Sequence, residues 1–415
     1  NLVDKSMIKV TGVDDSGTGA GRRYDILETL RQFGDRQLGR QHERASARNR
    51  HLDLVVELVA AANAYAMSND WFEGVHRFRR EWSNIRAAVN WAIDTTRVDD
   101  VDRLLRDVHF YCRWTLESEA ALWAQRAIDR GPTTGAVAGA PAYLHVGFRH
   151  FLAGEHDAAL SALTAGLAAR GTPADRGWCR HYAAVELLYL GRAAEAAEQA
   201  VVDVDDGSPR EVEAVMRSSS ITAFRMYADV MPSAAAREQA SRDAALAVAT
   251  GNAVAIGHAT FNCGLIAYGS GDVDAFRGYM NDALDIARTN EIANLLGYVY
   301  TAQVYAPGWS GLRAALDALD YWTTQRDIGN EYVVLEAIGI NLAELRRLEP
   351  AATILGKLRS GRRTVAASRS RREAALGEIA LHRRGGAWMA AGASMSRIEL
   401  SAFARQAAAD ALDAL

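Results

Sequence analysis

The 415-residue sequence is poor in cysteine and proline, with three of the former and seven of the latter. Cys112, Cys179 and Cys263 are odd in number, widely spaced and form no C-x-x-C pair. That excludes a disulfide framework and a thiolate zinc site, and it suits the reducing cytoplasm. Each is expected to behave as a small buried hydrophobe. No run of 18 apolar residues exists, which excludes a membrane-spanning helix. Charge of one sign is also lacking. With 47 Lys+Arg against 51 Asp+Glu the net charge is −4, a balance that argues against a chain whose main task is neutralising phosphates.

Chemical motifs are missing as well. Gly17-Thr18-Gly19-Ala20-Gly21 has the wrong spacing for a phosphate loop and opens a strand rather than a helix. Gly356-Lys357-Leu358 lacks the upstream glycine and the Ser/Thr that a nucleotide loop requires. Ser6-Met7-Ile8-Lys9 spells S-x-x-K without its companion motifs. The ten histidines include no H-E-x-x-H. Glu155-His156-Asp157 falls in a turn, where three adjacent residues cannot converge on one ion. His42 and His51 lie among Arg and Glu on a helical surface. The sequence therefore points to no catalytic, cofactor-binding or metal-ligating residue, and it leaves ligand-binding residues unassigned.

What is present is helix-forming. The hydrophobic set makes up 49% and charged residues 24%, enough for a packed core. Alanine, at roughly a fifth of the chain, favours helices. Only the start differs. Leu2-Val3 to Val10 and Arg23 to Leu27 read as two strands of a hairpin around the segment TGVDDSGTGAG. From Glu28 the period becomes helical, with Leu27, Leu30, Phe33 and Leu38 spaced by three to five and Gly39 as a stop. The chain begins as though in the middle of an element, so it is expected to be a piece of a longer protein.

Amphipathic helices follow over 41–130. His51–Ala66 places Leu54, Leu58 and Ala61 on one face, and Trp71–Asp94 carries the stripe Trp82, Ile85, Val89, Ile93. Val101, Leu104, Leu105, Val108 and Cys112 form the next stripe. After Pro141 the pattern repeats as helix, tight turn, helix: 143–153 with 158–169, 178–190 with 193–202, and 254–268 with 273–288. Weaker copies are 292–305 with 314–326 and 332–348 with 351–358, and 217–249 holds another, interrupted at Met231-Pro232. A spacing of about 35–40 residues is that of helix-pair solenoids. Gly or Gly-Asp at each turn is expected to supply the left-handed backbone that ends the first helix. The fold is thus expected to be all-α, a solenoid of antiparallel TPR-like helix pairs behind a small hairpin.

Two basic clusters need weighing. Lys357, Arg359, Arg362, Arg363, Arg369, Arg371 and Arg372 have no interleaved aromatics to stack on bases, so a solvated linker is the better reading than a nucleic-acid patch. Arg77, Arg79, Arg80 and Arg86 share a helix with Trp71, Phe72 and Trp82, whose spacing is that of core packing. Trp178, Tyr182, Tyr189, Tyr298, Tyr300, Tyr305, Trp309, Tyr321 and Trp322 are read as packing residues between layers, some of which could line a concave ligand surface.

Three stretches carry a family resemblance. Leu2-Val3-Asp4-Lys5-Ser6 with Arg23-Tyr24-Asp25-Ile26-Leu27-Glu28-Thr29-Leu30-Arg31-Gln32-Phe33 resembles the end of the winged-helix module in bacterial signal-transduction ATPases of the STAND class. These include LuxR-type and AfsR-like regulators and the "predicted ATPases" of actinobacteria. Asn84-Ile85-Arg86-Ala87-Ala88-Val89-Asn90-Trp91-Ala92 looks like a helix of that family. Gly386 to Met395 with Ile398-Glu399-Leu400 is similar to its C-terminal signature of Trp, Gly, Met and Glu. The resemblance implies an ATPase domain upstream of Asn1, where ATP and Mg would bind, and no cofactor in this chain. It implies 1–40 as the end of the winged-helix module, 41–140 as a helical connector and 141–415 as TPR-like repeats. The chain would be a non-catalytic sensor or protein-interaction arm in a cytoplasmic transcriptional or signalling regulator, answering to an unknown protein or small-molecule effector. Its partner would be its own ATPase and winged-helix domain. The rival is an oligomerisation scaffold of the same regulator, one that could carry an adenylate cyclase effector. No LuxR-type helix-turn-helix follows Leu400, so DNA binding through this chain is not implied, and no catalytic residue is transferred.

Overall fold

The computed structural model describes residues 7–12, 23–135, 137–199, 211–358 and 369–414. Strands β1 (Ile8–Gly12) and β2 (Arg23–Ile26) pair antiparallel, with Ile8 opposite Ile26. The expected hairpin is there; its loop lies outside the described residues. The other regular elements of the described residues are helices. α1 (Glu28–Arg40) runs through Gly39 and ends where His42 adopts a positive φ of 59°.

α2 (Arg44–Ala66), α3 (Trp71–Asp94), α4 (Val98–Thr115) and α5 (Glu119–Thr134) pack on one another. In α3 and α4 the expected stripes are buried, with Trp82 half-buried. In α2 they are not. Leu54, Leu58 and Ala61 face solvent, while Leu52, Val55, Val56, Val59 and Ala62 form the buried stripe.

Six helix pairs come next: α6 (Ala140–Ala153) with α7 (His156–Ala168), α8 (Pro173–Tyr189) with α9 (Ala193–Gln199), and α10 (Glu211–Tyr227) with α11 (Ser233–Thr250). They continue as α12 (Ala253–Gly269) with α13 (Val273–Thr289), α14 (Ala293–Gln303) with α15 (Trp309–Gln325), and α16 (Ile328–Glu344) with α17 (Leu348–Leu358). Their apolar faces cover one another, which makes the stack the core. The left-handed residue between paired helices is Gly154, Gly191, Gly271 or Gly308, yet Asp229 and Arg346 fill the role in two pairs without glycine. Side-chain caps mark three other helix starts. Thr172 and Asp175 form a capping box ahead of α8, and Asn252 and Asp272 cap α12 and α13.

α18 (Arg369–Leu381), α19 (Gly385–Ala393) and α20 (Arg397–Asp413) close the chain against α15, α16 and α17. The superhelix returns on itself. α6 meets α16 and α4 meets α14. Asn252 Nδ2 donates to the carbonyls of Ala66 (3.0 Å) and Ser68 (2.6 Å), and Trp71 Nε1 donates to that of Asn290 (3.0 Å).

Candidate functional site

Because the superhelix closes, the first helices of the pairs turn one face toward a common interior. There they leave a cavity of about 180 Å³. Phe151 of α6, Tyr182 of α8, Phe224 of α10, Phe261 of α12 and Tyr298 of α14 give it aromatic walls, and Val185, Leu265 and Val333 add aliphatic surface. Phe261 and Tyr298 stack with centroids 5.9 Å apart. Polar groups are few: Ser220, Asn262, Thr301, Asn330, two imidazoles and one guanidinium, apart from the tyrosine hydroxyls.

That guanidinium is Arg113, in the last turn of α4 and 3% exposed. Its Cζ lies 4.6 Å from the Trp114 ring centroid, 4.7 Å from that of Trp178 and 5.1 Å from that of Tyr182. Its Nε and Nη1 are buried without a hydrogen-bond partner, and no carboxylate of the described residues lies within 4.0 Å of it. Glu213, in which burial raises the carboxyl's pKa while the charges of Arg217 and Arg113 oppose the rise, forms no ion pair with it. Arg113 is the one formal charge among the cavity's lining residues. Stacking on aromatic faces contributes about 0.5–2 kcal/mol. Each buried donor left unmade costs about 1–3 kcal/mol. The rings therefore do not offset the two orphaned donors.

The surrounding imidazoles do not add charge. Burial, and after it the charge of Arg113, holds His181 and His258 well below their ordinary 6.5. Behind them, burial brings His145 down to about 4 although it bonds the Leu105 carbonyl (2.8 Å). A carbonyl only accepts, so neutral His145 carries its proton on Nε2. His181 Nδ1 and the Tyr182 hydroxyl are buried without partners beside Arg113. A cation, imidazoles and a phenol thus converge on one apolar space able to receive an anion; in the same lining Ser220 Oγ lies 3.3 Å from Nε2 of His258, an imidazole that burial keeps neutral.

The aromatic set divides in two. Tyr182, Tyr189, Tyr298 and Tyr305 line the cavity, and Trp178 packs beneath Arg113. Trp322 is fully buried, donating from Nε1 to Thr301 Oγ1 at 2.6 Å. Tyr300, Trp309 and Tyr321 pack elsewhere, against the second core cluster. The large basic cluster is partly structural rather than a solvated linker. Arg371 bonds Glu344, Asn341 Oδ1 (2.8 Å) and the Tyr305 carbonyl (2.7 Å), and Arg372 pairs with Glu336 (3.2 Å). Arg359, Arg362 and Arg363 lie outside the described residues. In the smaller group, Arg86 and Trp82 both bond Glu119, and Arg77 lies 4.0 Å over Tyr65. His156 opens α7 and is buried, its Nδ1 2.5 Å from Glu186 Oε2. Sequence reasoning missed Arg113. At the end of a helix a basic residue reads as a partner for the C-terminal dipole, and only its neighbours Phe110, Tyr111, Cys112 and Trp114 hint at burial.

The molecule is therefore an all-α solenoid of TPR-like helix pairs, closed around a cationic, aromatic cavity. No protein-family model matches the chain, nor does any curated protein. Among solved structures, one that matches is a signal-transduction ATPase with numerous domains (STAND) protein with a tetratricopeptide repeat sensor, from Pyrococcus horikoshii. The TM-score is 0.48 at 14% identity, over 99% of this chain and 59% of that one. The chain thus spans less than two thirds of that protein's length.

Proposed function

We propose that this chain is the non-catalytic sensor arm of a cytoplasmic STAND-type ATPase regulator. In this reading 1–40 is the end of a winged-helix module, 41–140 the connector and 141–415 the sensing repeats. The observation that carries the reading is the interior cavity, whose charged wall comes from the connector and whose other walls come from the repeats. A ligand there touches both segments at once. Binding one arrangement of the arm better than another shifts its population, and with it the state of the attached ATPase. The winged-helix, connector and C-terminal resemblances support the ATPase as the partner. The ion pairs of Arg371 and Arg372 weigh against a nucleic-acid surface at that cluster.

The test is ATP turnover by the longer protein with and without residues 41–415. A sensor arm that restrains the ATPase predicts a higher rate on deletion. An unchanged rate leaves an assembly scaffold. ATP hydrolysis by the 415-residue chain alone, above a mock preparation, overturns the non-catalytic reading.

A further inference from the structure

We propose that the cavity binds a small monocarboxylic acid built on a single aromatic ring, its carboxylate received by Arg113 and its ring held between the walls of α8, α12 and α14. The proposal deepens the sensor reading and rests on it only for the consequence of binding, not for the site.

Four observations fix the ligand class. Size comes first: a closed apolar cavity of about 150 Å³ accommodates a benzene-sized molecule, and this one is about 180 Å³. One ring and a short acidic arm fill it. Wall chemistry comes second. Tyr182, Phe224, Phe261 and Tyr298 offer ring faces and edges, the surface that a planar ring prefers. Charge comes third. Arg113 makes no ion pair or hydrogen bond among the described residues and is the one formal charge on the lining, with the Glu213 carboxyl acting on it only at a distance. A neutral ring gives it no partner, and a phosphate dianion brings one negative charge too many. The buried imidazoles cannot absorb a second negative charge, because burial keeps them unprotonated. Donor geometry comes last. A planar guanidinium matches a carboxylate, and the Tyr182 hydroxyl and His181 Nδ1 beside it are likewise without hydrogen-bond partners.

The experiment is calorimetric titration and thermal denaturation of the full 415-residue chain. The probes are benzoate and phenylacetate, with benzyl alcohol as the ring without charge and inorganic phosphate as the anion without a ring. The acids are expected to bind and to raise the melting temperature with concentration, and the two controls to do neither at millimolar levels. Arg113→Met is expected to weaken acid binding by at least about tenfold, the effect of losing one charge-assisted contact. Val333→Phe, which fills the cavity and keeps the charge, is expected to abolish binding with an unchanged circular dichroism spectrum. It decides the matter if Arg113→Met does not fold. The proposal is overturned if neither acid binds at millimolar concentration, if either control binds as well as the acids, or if a folded Val333→Phe binds undiminished. Acid binding without a deletion effect on ATP turnover would sink the regulatory reading alone, and a deletion effect without acid binding would sink the ligand alone.

Discussion

At the scale of residues, Arg113 works against the stability of the fold it sits in. Its three ring contacts offset only part of the desolvation of its orphaned donors. Arg113→Met keeps the length and removes the donors, so without ligand it should raise unfolding stability by about 1–2 kcal/mol, read from urea midpoints. A loss of that size instead would show that the guanidinium has partners in the free protein. The buried histidines make a second prediction, with a definite sign. His145 is brought from 6.5 to about 4, and His109, His181 and His258 are lowered too, all chiefly by burial. A folded-state value below the unfolded one means the unfolded chain takes up the proton first. The stability these residues contribute is thus intact above pH 6.5 and falls as pH drops toward 4, by about 3 kcal/mol for His145 over the whole window. Asp102 and Asp107, raised to about 6 by burial, act in the opposite direction between their ordinary value and 6. The urea midpoint should therefore fall between pH 7 and 6, where the four histidines titrate in the unfolded chain and outweigh the onset of protonation of the two aspartates in the folded one. A midpoint that is flat or rises over that interval would contradict the neutral, buried histidines.

At the scale of elements, the glycines of the C-terminal helices show what local spacing means. A Cβ on Gly392 would overlap the Thr353 carbonyl oxygen, and one on Gly356 would overlap the backbone of Met389, so α17 and α19 touch main chain to main chain. Around that contact Trp388 stacks on His382 at 4.5 Å, and Ser396 with Glu399 forms the capping box of α20. The Trp, Gly and Glu of the C-terminal resemblance thus have distinct physical duties. Gly392→Ala should destabilise the protein by about 1–3 kcal/mol through forced separation of the two helices. Gly386→Ala, where a Cβ meets open space, should be neutral or mildly stabilising in the same denaturation series. Equal effects at the two positions would refute the close approach. Helices of this kind were legible wherever one stripe dominates, as in α3 and α4. They were not legible in α2, where Leu52, Leu54, Val55, Val56, Leu58 and Val59 surround the helix and admit two stripes. The contacts with α3 and α4, set by tertiary packing, bury the valine-rich one. The tight turns were legible through glycine but not where Asp229 or Arg346 takes the left-handed position, because nothing local marks those residues for it. For the cavity, the tyrosines were visible as candidates. Their convergence on Arg113 depends on the curvature of the whole stack, which no single repeat encodes.

At the scale of the whole molecule, closure of the superhelix makes the site. The cavity takes Arg113 from α4 and its other walls from α6 through α16, so the join between these parts sets where the charge stands relative to the rings. An open solenoid has only contacts between neighbouring repeats. Here Asn252 adds a distant one. It is fully buried; its Oδ1 accepts from Ala255 N–H to cap α12, while its Nδ2 clasps the carbonyls of Ala66 and Ser68 at the end of α2. Trp71 to Asn290 is a second clasp on the same side. Asn252→Ala removes a cap and leaves two carbonyls without their donor, which should cost about 2–4 kcal/mol. Its effect on the ligand separates closure from mere stability. Asn252 does not line the cavity, so if closure positions Arg113 the variant should bind benzoate severalfold more weakly while still folded. Hydrogen exchange should rise at once around Ala66–Trp71 and Gly251–Ala255, the two faces of the clasp. Undiminished binding together with faster exchange at those faces would mean that the contacts of α4 with α14 and of α6 with α16 hold the cavity by themselves. Unchanged exchange would mean that the clasp is not strained open even when its side chain is gone.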